Sequence, residues 1–173
     1  NGVVSLGDGG IATLNFSGQI YDGPGADFAV FENAFNSTFL ELAFVEVSSD
    51  GNNFFRFDAV SLTDTSTQLD NNASVDATKL YNLAGKYQAQ YGTPFDLNEL
   101  AGINGLDINK ITHIRIIDVI GSLNELYANY DSQNNKINDP WPTAFASSGF
   151  DLDAVGVIHL STTGIKPTNS HIN

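Results

Sequence analysis

The sequence predicts an all-β protein, an antiparallel β-sandwich of the jelly-roll type that carries a short helical insertion. Two observations indicate this fold class. Along most of the chain, β-branched and aromatic residues recur with the period of two that is typical of strands. Short segments rich in Gly, Asp and Asn, which favour turns, separate these runs. With 173 residues the chain is long enough for one well-packed domain, and we assign residues 1–160 to a single sandwich.

The first part of the chain contains four predicted strands. A turn over residues 22–25 separates the first two, and the pair Asp50-Gly51 predicts a tight hairpin between the last two. The predicted strands are residues 11–16, 26–32, 40–48 and 54–60.

Residues 61–110 form an insertion with helical signals. Leu83, Tyr87 and Tyr91 are four residues apart, which predicts a helix over 83–91 that ends before Pro94. A second short helix is expected to begin after Asp96 and to run to residue 100, because Glu99 stands three residues after Asp96 as in a capping box.

Two further strands follow the insertion. Residues 111–120 carry apolar side chains on both faces, which predicts a strand at the centre of a sheet. Residues 152–160 are expected to close the sandwich. Residues 161–173 are polar, include Gly164 and Pro167, and predict a flexible C-terminal tail or linker.

The composition limits the partners. The chain has 7 Lys and Arg against 20 Asp and Glu, a formal net charge of −13. Nucleic acid and anionic lipid would be repelled by this charge, whereas divalent cations, neutral glycans and other proteins remain possible partners. The chain has no Cys, so disulfides and thiolate metal sites are excluded. We expect no direct membrane insertion, because no apolar run approaches the roughly 20 residues of a membrane helix.

Residues 131–139 place oxygen-bearing side chains at alternate positions, the spacing with which EF-hand-like loops surround Ca²⁺. A true EF-hand has Gly at position six and Glu at position twelve, where this chain has Lys136 and Pro142, so a shorter extracellular type of calcium loop fits better. The alternative is a turn whose side chains bond their own backbone. The predicted ligands are Asp131, Gln133, Asn135, the carbonyl oxygen of Ile137, and Asp139.

Four more acids suggest a second cation site. Asp22 and Asp27 lie around one turn, and Asp151 and Asp153 are two residues apart at the start of the closing strand, where period two places them on one face. Carboxylates that meet there without a cation would repel each other and raise each other's pKa. The alternative is that all four are solvated turn residues.

A sugar platform is predicted at Trp141, which stands between two prolines directly after the calcium loop, with Tyr127 and Tyr130 nearby in sequence. Aromatic rings pack against the CH groups of a pyranose, although packing of Trp141 in the core or as a loop anchor is the alternative. The sequence has neither a Gly-x-Ser-x-Gly elbow nor a His pair at helical spacing, so we expect no catalysis. If the chain were a glycosidase, Glu32 and Glu46 would be the acids to test, since both stand in apolar runs.

Six segments together resemble a family of exported bacterial cell-surface domains found in Bacteroidetes and related phyla. They are residues 22–33 (DGPGADFAVFEN), 45–51 (VEVSSDG), 85–92 (GKYQAQYG), 113–118 (HIRIID), 139–143 (DPWPT) and 150–155 (FDLDAV). The resemblance implies a secreted β-sandwich, similar in outline to discoidin and carbohydrate-binding-module jelly rolls, which often hold structural Ca²⁺.

From these observations we expect a non-catalytic, calcium-stabilised binding or adhesion domain on the bacterial cell surface. Its ligand would be a glycan or a cell-surface partner protein. Two alternatives remain open: a structural or accessory subunit of an outer-membrane assembly, and a glycoside hydrolase.

Overall fold

The computed structural model describes residues 2–142 and 148–161. This part of the chain contains eleven strands and two short 3₁₀ turns, Ala77–Lys79 and Leu97–Leu100. The strands are β1 Val4–Ser5, β2 Ile11–Ile20, β3 Phe28–Glu32, β4 Ala43–Ser48, β5 Phe55–Arg56, β6 Val60–Ser61, β7 Leu80–Tyr81, β8 Thr93–Phe95, β9 Ile111–Asp118, β10 Asp151–Val157 and β11 Leu160–Ser161.

Two antiparallel sheets form the molecule. The larger has the strand order β11-β2-β9-β4-β5 and the smaller β1-β10-β3-β8, while β6 and β7 make a separate pair. Side chains of both sheets share one core, among them Phe28 and Phe95 from the smaller sheet and Ile114 and Ile116 from the larger. The prediction of an all-β antiparallel sandwich is confirmed, whereas its jelly-roll connectivity and the domain limits stay predictions.

The predicted hairpin and central strand are both present. β4 and β5 are antiparallel neighbours, and the Asp50 carboxylate accepts the N–H groups of Asn52 and Asn53 at 2.8 Å in the turn between them. Gly51 has φ 77°, a left-handed conformation that favours glycine. β9 lies between β2 and β4 at the centre of the larger sheet.

The first part of the insertion covers the outer face of the larger sheet at β4. All six positions of β4 are buried, because its two faces lie in different cores. Val45 and Val47 belong to the core between the sheets. Phe44 packs in a second core with Leu83 of the insertion and Val119.

The predicted helix over residues 83–91 is wrong. Ala84 instead pairs with Ala43, exchanging two backbone hydrogen bonds of 2.9 and 3.1 Å. Gly85 has φ 86°, which a helix does not allow. The second prediction is confirmed in a short form, since the Asp96 carboxylate accepts the N–H of Asn98 at the start of the 3₁₀ turn Leu97–Leu100.

Other strand limits differ from the prediction for local reasons. The predicted strand 40–48 begins only at Ala43, because the N–H of Leu42 donates to the Asp139 carboxylate. The predicted strand 54–60 ends at Arg56, and β6 then leaves the larger sheet to pair with β7. Of the predicted tail, Ser161 belongs to β11, and residues 162–173 lie outside the described part of the chain.

Candidate functional site

In the predicted calcium loop, the Asp131 carboxylate is bound to backbone N–H groups. Oδ1 accepts those of Gln133 at 2.9 Å and Asn135 at 2.8 Å, and Oδ2 accepts that of Ser61 at 3.2 Å. Asp131 is buried, whereas the side chains of Gln133 and Asn135 are exposed. This arrangement is the backbone-bonded turn that the sequence offered as the alternative to calcium.

The last two predicted ligands of the loop lie in different surroundings. Ile137 is fully buried in the second core, on the outer face of the larger sheet. Its N–H donates to the carbonyl of Asn129 at 2.9 Å. Asp139 is also buried, and its Oδ2 accepts the N–H of Leu42 at 2.9 Å. Asp131 and Asp139 therefore belong to separate hydrogen-bond networks, and the five-residue ligand set stays a prediction.

Asp22 and Asp27 come together with Asp96, which the sequence analysis had not grouped with them. Within residues 2–142 and 148–161, these are the three acids whose ligand atoms all lie within 4.8 Å of one another. Both oxygens of Asp27 already accept hydrogen bonds, Oδ1 from Gly23 N at 2.8 Å and Oδ2 from Leu97 N at 2.7 Å. Structural hydrogen bonds thus compete with any cation for this triad.

A β-bulge falls between Asp151 and Asp153, so the simple period of two does not extend across the pair, and their position on one face stays a prediction. Leu152 pairs with Glu32, and the next pair is Ala154 with Phe31, so Asp153 is the extra residue. Asp153 is exposed. Asp151 accepts a hydrogen bond from the Ser5 hydroxyl, and its charge raises the pKa of the two glutamates described next.

An acidic cluster, Glu32, Glu41, Asp118 and Asp139, lies at one end of the sandwich. Glu32 ends β3 and Asp118 ends β9, while Glu41 stands just before β4. Three of the four are almost fully buried: Asp118 is 1%, Glu32 2% and Asp139 3% exposed. The backbone anchors these carboxylates: Asp118 accepts the N–H of Phe150 at 2.6 Å, and Asp139 accepts that of Leu42. Glu32 likewise has backbone hydrogen bonds from Asn33 and Ala34.

Desolvation dominates the electrostatics of the acidic cluster. Burial, followed by the charge of Glu41, raises the pKa of Glu32 to about 9. Burial, followed by the charges of Asp151 and Asp118, raises the pKa of Glu41 to about 8. Burial also raises the pKa of Asp118 to about 6 and raises the pKa of Asp139 well above its ordinary value. The ion pairs of the described residues all involve other acids.

Period two is the sequence signal that places Glu32 and Asp118 on the inward-facing rows of their strands. Each acid continues the inward-facing row of an otherwise apolar strand, and period two therefore places it between the sheets. The inward rows are Phe28, Val30 and Glu32 in β3, and Ile114, Ile116 and Asp118 in β9. Glu41 and Asp139 lie outside strands, where no such signal exists.

Two of the three predicted sugar-binding aromatics lie side by side. The rings of Trp141 and Tyr127 are 6.5 Å apart between centroids and inclined by 29°. Trp141 is half-buried, and Tyr127 is 50% exposed. Tyr130 instead donates its hydroxyl to Glu125 at 2.7 Å and lines another cavity with Arg56.

A second aromatic surface, which we call the tyrosine cleft, is formed by Tyr81, Tyr87 and Tyr91. These side chains are 54%, 40% and 63% exposed. They line two cavities, of about 230 and 420 Å³, that share Tyr87 and Pro94. The cleft lies where the insertion, which includes β8, meets β3, and Phe31 lines the larger cavity.

The smaller cavity of the tyrosine cleft also has polar walls. Asn82 donates to Glu99 Oε2 at 2.5 Å, and the Lys86 ammonium donates to the carbonyl of Leu80 at 2.7 Å. Asn82 has φ 49°, and Gln90 in the larger cavity has φ 77°. Left-handed backbone at residues other than glycine is costly and concentrates at functional sites.

Comparisons with protein-family models, curated proteins and solved structures gave no match. The described residues include no helix that is both long and apolar enough to cross a membrane.

Proposed function

We propose that this chain is a non-catalytic, calcium-stabilised binding domain of a bacterial cell-surface protein, and that its ligand is a glycan. The observation that carries the glycan proposal is the tyrosine cleft, where three exposed tyrosines and several polar side chains surround two cavities that share a wall. The resemblance described above supports the surface location.

The cleft has the chemistry that a sugar requires. A tyrosine ring offers a rigid flat face to the CH groups of a pyranose and loses little conformational entropy on binding. Asn82 and Glu99 place amide and carboxylate groups at the wall of the same cavity as Tyr81 and Tyr87, where they can pair with hydroxyl groups. Pockets that combine apolar walls with a few polar groups are the usual form of small-ligand sites.

Two observations favour binding over glycoside hydrolysis. Glu46 is paired with both Arg56 and Arg115, at 2.8 and 3.4 Å, so two structural ion pairs already occupy its carboxylate. Glu32 is 2% exposed, so a polysaccharide would not reach it without a rearrangement of the sandwich end. Release of reducing sugar from a polysaccharide, abolished in Glu32→Gln, would support the hydrolase alternative.

The test of the glycan proposal is a glycan array followed by titration of the best ligand. We expect the double variant Tyr81→Ala, Tyr87→Ala to weaken binding by at least about 30-fold, because truncating central aromatic contacts commonly costs 2 kcal/mol or more. Its melting temperature should stay close to that of the wild type, since both side chains are largely exposed.

Tyr127→Ala provides the matched control, because Tyr127 has a similar exposure of 50% and lies on the other aromatic surface. It should bind the glycan like the wild type. Loss of binding in Tyr127→Ala and Trp141→Ala alone would place the ligand on the surface that the sequence predicted. Binding of no glycan at all would favour the structural-subunit alternative.

A further inference from the structure

We propose that Glu32, Glu41, Asp118 and Asp139 form an internal site for one calcium ion, which closes the end of the sandwich where β3 and β9 terminate. This site differs from the calcium loop predicted at residues 131–139 and shares only Asp139 with it. The assignment rests on the calcium dependence in the proposed function and is independent of the tyrosine cleft.

The fold brings the four carboxyl groups together from distant parts of the chain. Glu32 and Asp118 continue the inward-facing rows of the smaller and the larger sheet. Glu41 precedes β4, which pairs with β9 so that Ala43 lies opposite Asp118. Asp139 is held on this end by its hydrogen bond from Leu42 N. Each sheet therefore contributes at least one acid.

Unpaired oxygen atoms provide an independent observation. Oε2 of Glu32 and Oδ1 of Asp139 are buried and have no hydrogen-bond donor, although the two residues are only 2% and 3% exposed. Asp139 is placed beside the other acids, because the Leu42 N–H that it accepts directly follows Glu41, and Ala43 lies opposite Asp118. A buried oxygen without a partner costs free energy, and a cation between the acids would remove that cost.

Calcium fits these ligands better than other common cations. The donors are carboxylate oxygens, which hard cations prefer, and the absence of Cys excludes a thiolate site. Mg²⁺ usually keeps several of its water molecules, whereas three of the four acids are at most 3% exposed. Ca²⁺ accepts six to eight oxygens in flexible geometry, including carbonyl groups of the surrounding backbone.

The acids must move closer together when calcium binds. Among the described residues only Asp22, Asp27 and Asp96 bring three ligand atoms within 4.8 Å of one another. Because Oε2 of Glu32 and Oδ1 of Asp139 have no hydrogen-bond partner, neither oxygen gives up a hydrogen bond of its own when it binds an ion.

The test compares amide variants of the full chain by calorimetric titration with Ca²⁺ and by thermal unfolding. For the wild type, Ca²⁺ at 100 times Kd should raise Tm by roughly 5–11 °C. Glu32→Gln is the decisive variant, because Glu32 lies outside the predicted loop and the amide can keep the backbone contacts of the carboxylate. It should weaken Ca²⁺ binding by on the order of 100-fold, since the number of charged ligands sets the affinity of calcium sites.

Asp131→Asn and Asp153→Asn are matched controls that remove one acid each outside the acidic cluster, and both should bind Ca²⁺ like the wild type. The proposal is overturned if Glu32→Gln keeps wild-type affinity, if only Asp131→Asn loses it, or if the wild type binds no Ca²⁺. Should Glu32→Gln not fold, crystals of the wild type grown with Ca²⁺ decide: an ion on Glu32 and Asp139 supports the site, and an ion found only elsewhere overturns it. Tyr87→Ala should retain Ca²⁺ binding. Failure of the glycan proposal can therefore be distinguished from failure of the calcium site.

Discussion

Asp131 organises its loop through three backbone hydrogen bonds, including one from the buried N–H of Ser61. We predict that Asp131→Ala lowers the free energy of unfolding by about 1–3 kcal/mol, because these N–H groups would lose their acceptor. Urea unfolding at neutral pH measures the difference. Asp153→Ala, at an exposed position in the β10 bulge, should change stability by less than about 0.5 kcal/mol. Equal stability of the two variants would contradict a structural role for Asp131.

At the scale of the residue, only part of the candidate site could be predicted from the sequence. The sequence drew attention to Asp139 as an oxygen ligand and to Glu32 as an acid in an apolar run, but it linked neither residue to the other. Asp118 and Glu41 were missed, because their approach depends on the pairing of β4 with β9. Local spacing identifies side chains with the right chemistry, whereas long-range strand pairing decides which of them meet.

At the scale of the element, Gly85 holds the insertion against the start of β4. A Cβ atom added there would lie 1.9 Å from the carbonyl oxygen of Glu41, and Gly85 has φ 86°. Gly102 is the matched control, because it has φ 82° but an added Cβ would meet nothing within 4 Å.

We predict that Gly102→Ala costs roughly 1–2 kcal/mol, the penalty of the left-handed conformation alone. Gly85→Ala should cost more than about 4 kcal/mol, because the backbone must also shift, and losses of this size are exceptional for single substitutions. Chemical denaturation of the two variants measures the difference. A cost for Gly85→Ala no larger than that for Gly102→Ala would show that the contact with Glu41 relaxes easily.

Elements with strong periodicity were the predictable part of the fold. The central strand β9 and the hairpin of β4 and β5 follow from alternation and from the Asp50-Gly51 turn. The helix predicted over residues 83–91 failed because the four-residue spacing has another origin. Leu83 packs in the second core, while Tyr87 and Tyr91 line the tyrosine cleft. The three side chains therefore lie on two different surfaces of an irregular segment.

At the scale of the whole molecule, stability is expected to depend on both pH and calcium. The two glutamates of the acidic cluster, buried Glu32 and half-buried Glu41, have folded-state pKa values of about 9 and about 8, against an ordinary value of 4.5. Between pH 4.5 and 9 the folded state therefore binds more protons than the unfolded state. By linkage, the free energy of unfolding of the calcium-free protein falls as pH rises through this window. Below pH 4.5 these two groups are protonated in both states and contribute no further change.

We predict that the calcium-free protein melts at a higher temperature at pH 5.5 than at pH 8.5, and that the stabilisation by Ca²⁺ is larger at pH 8.5. Protons compete with the ion for the same carboxylates, so calcium sites bind more tightly when their ligands are ionised. Thermal unfolding at the two pH values, with and without Ca²⁺, measures both effects.

The net charge of −13 adds a general repulsion that also grows with pH, and Glu32→Gln separates this background from the acidic cluster. The variant keeps nearly all of the surface charge but lacks one of the carboxyls whose pKa burial raises. Its calcium-free Tm should therefore fall less between pH 5.5 and 8.5 than that of the wild type. If the Tm of both proteins falls by the same number of degrees, the pH dependence comes from the surface charge as a whole. The buried carboxyl of Glu32 then does not control it.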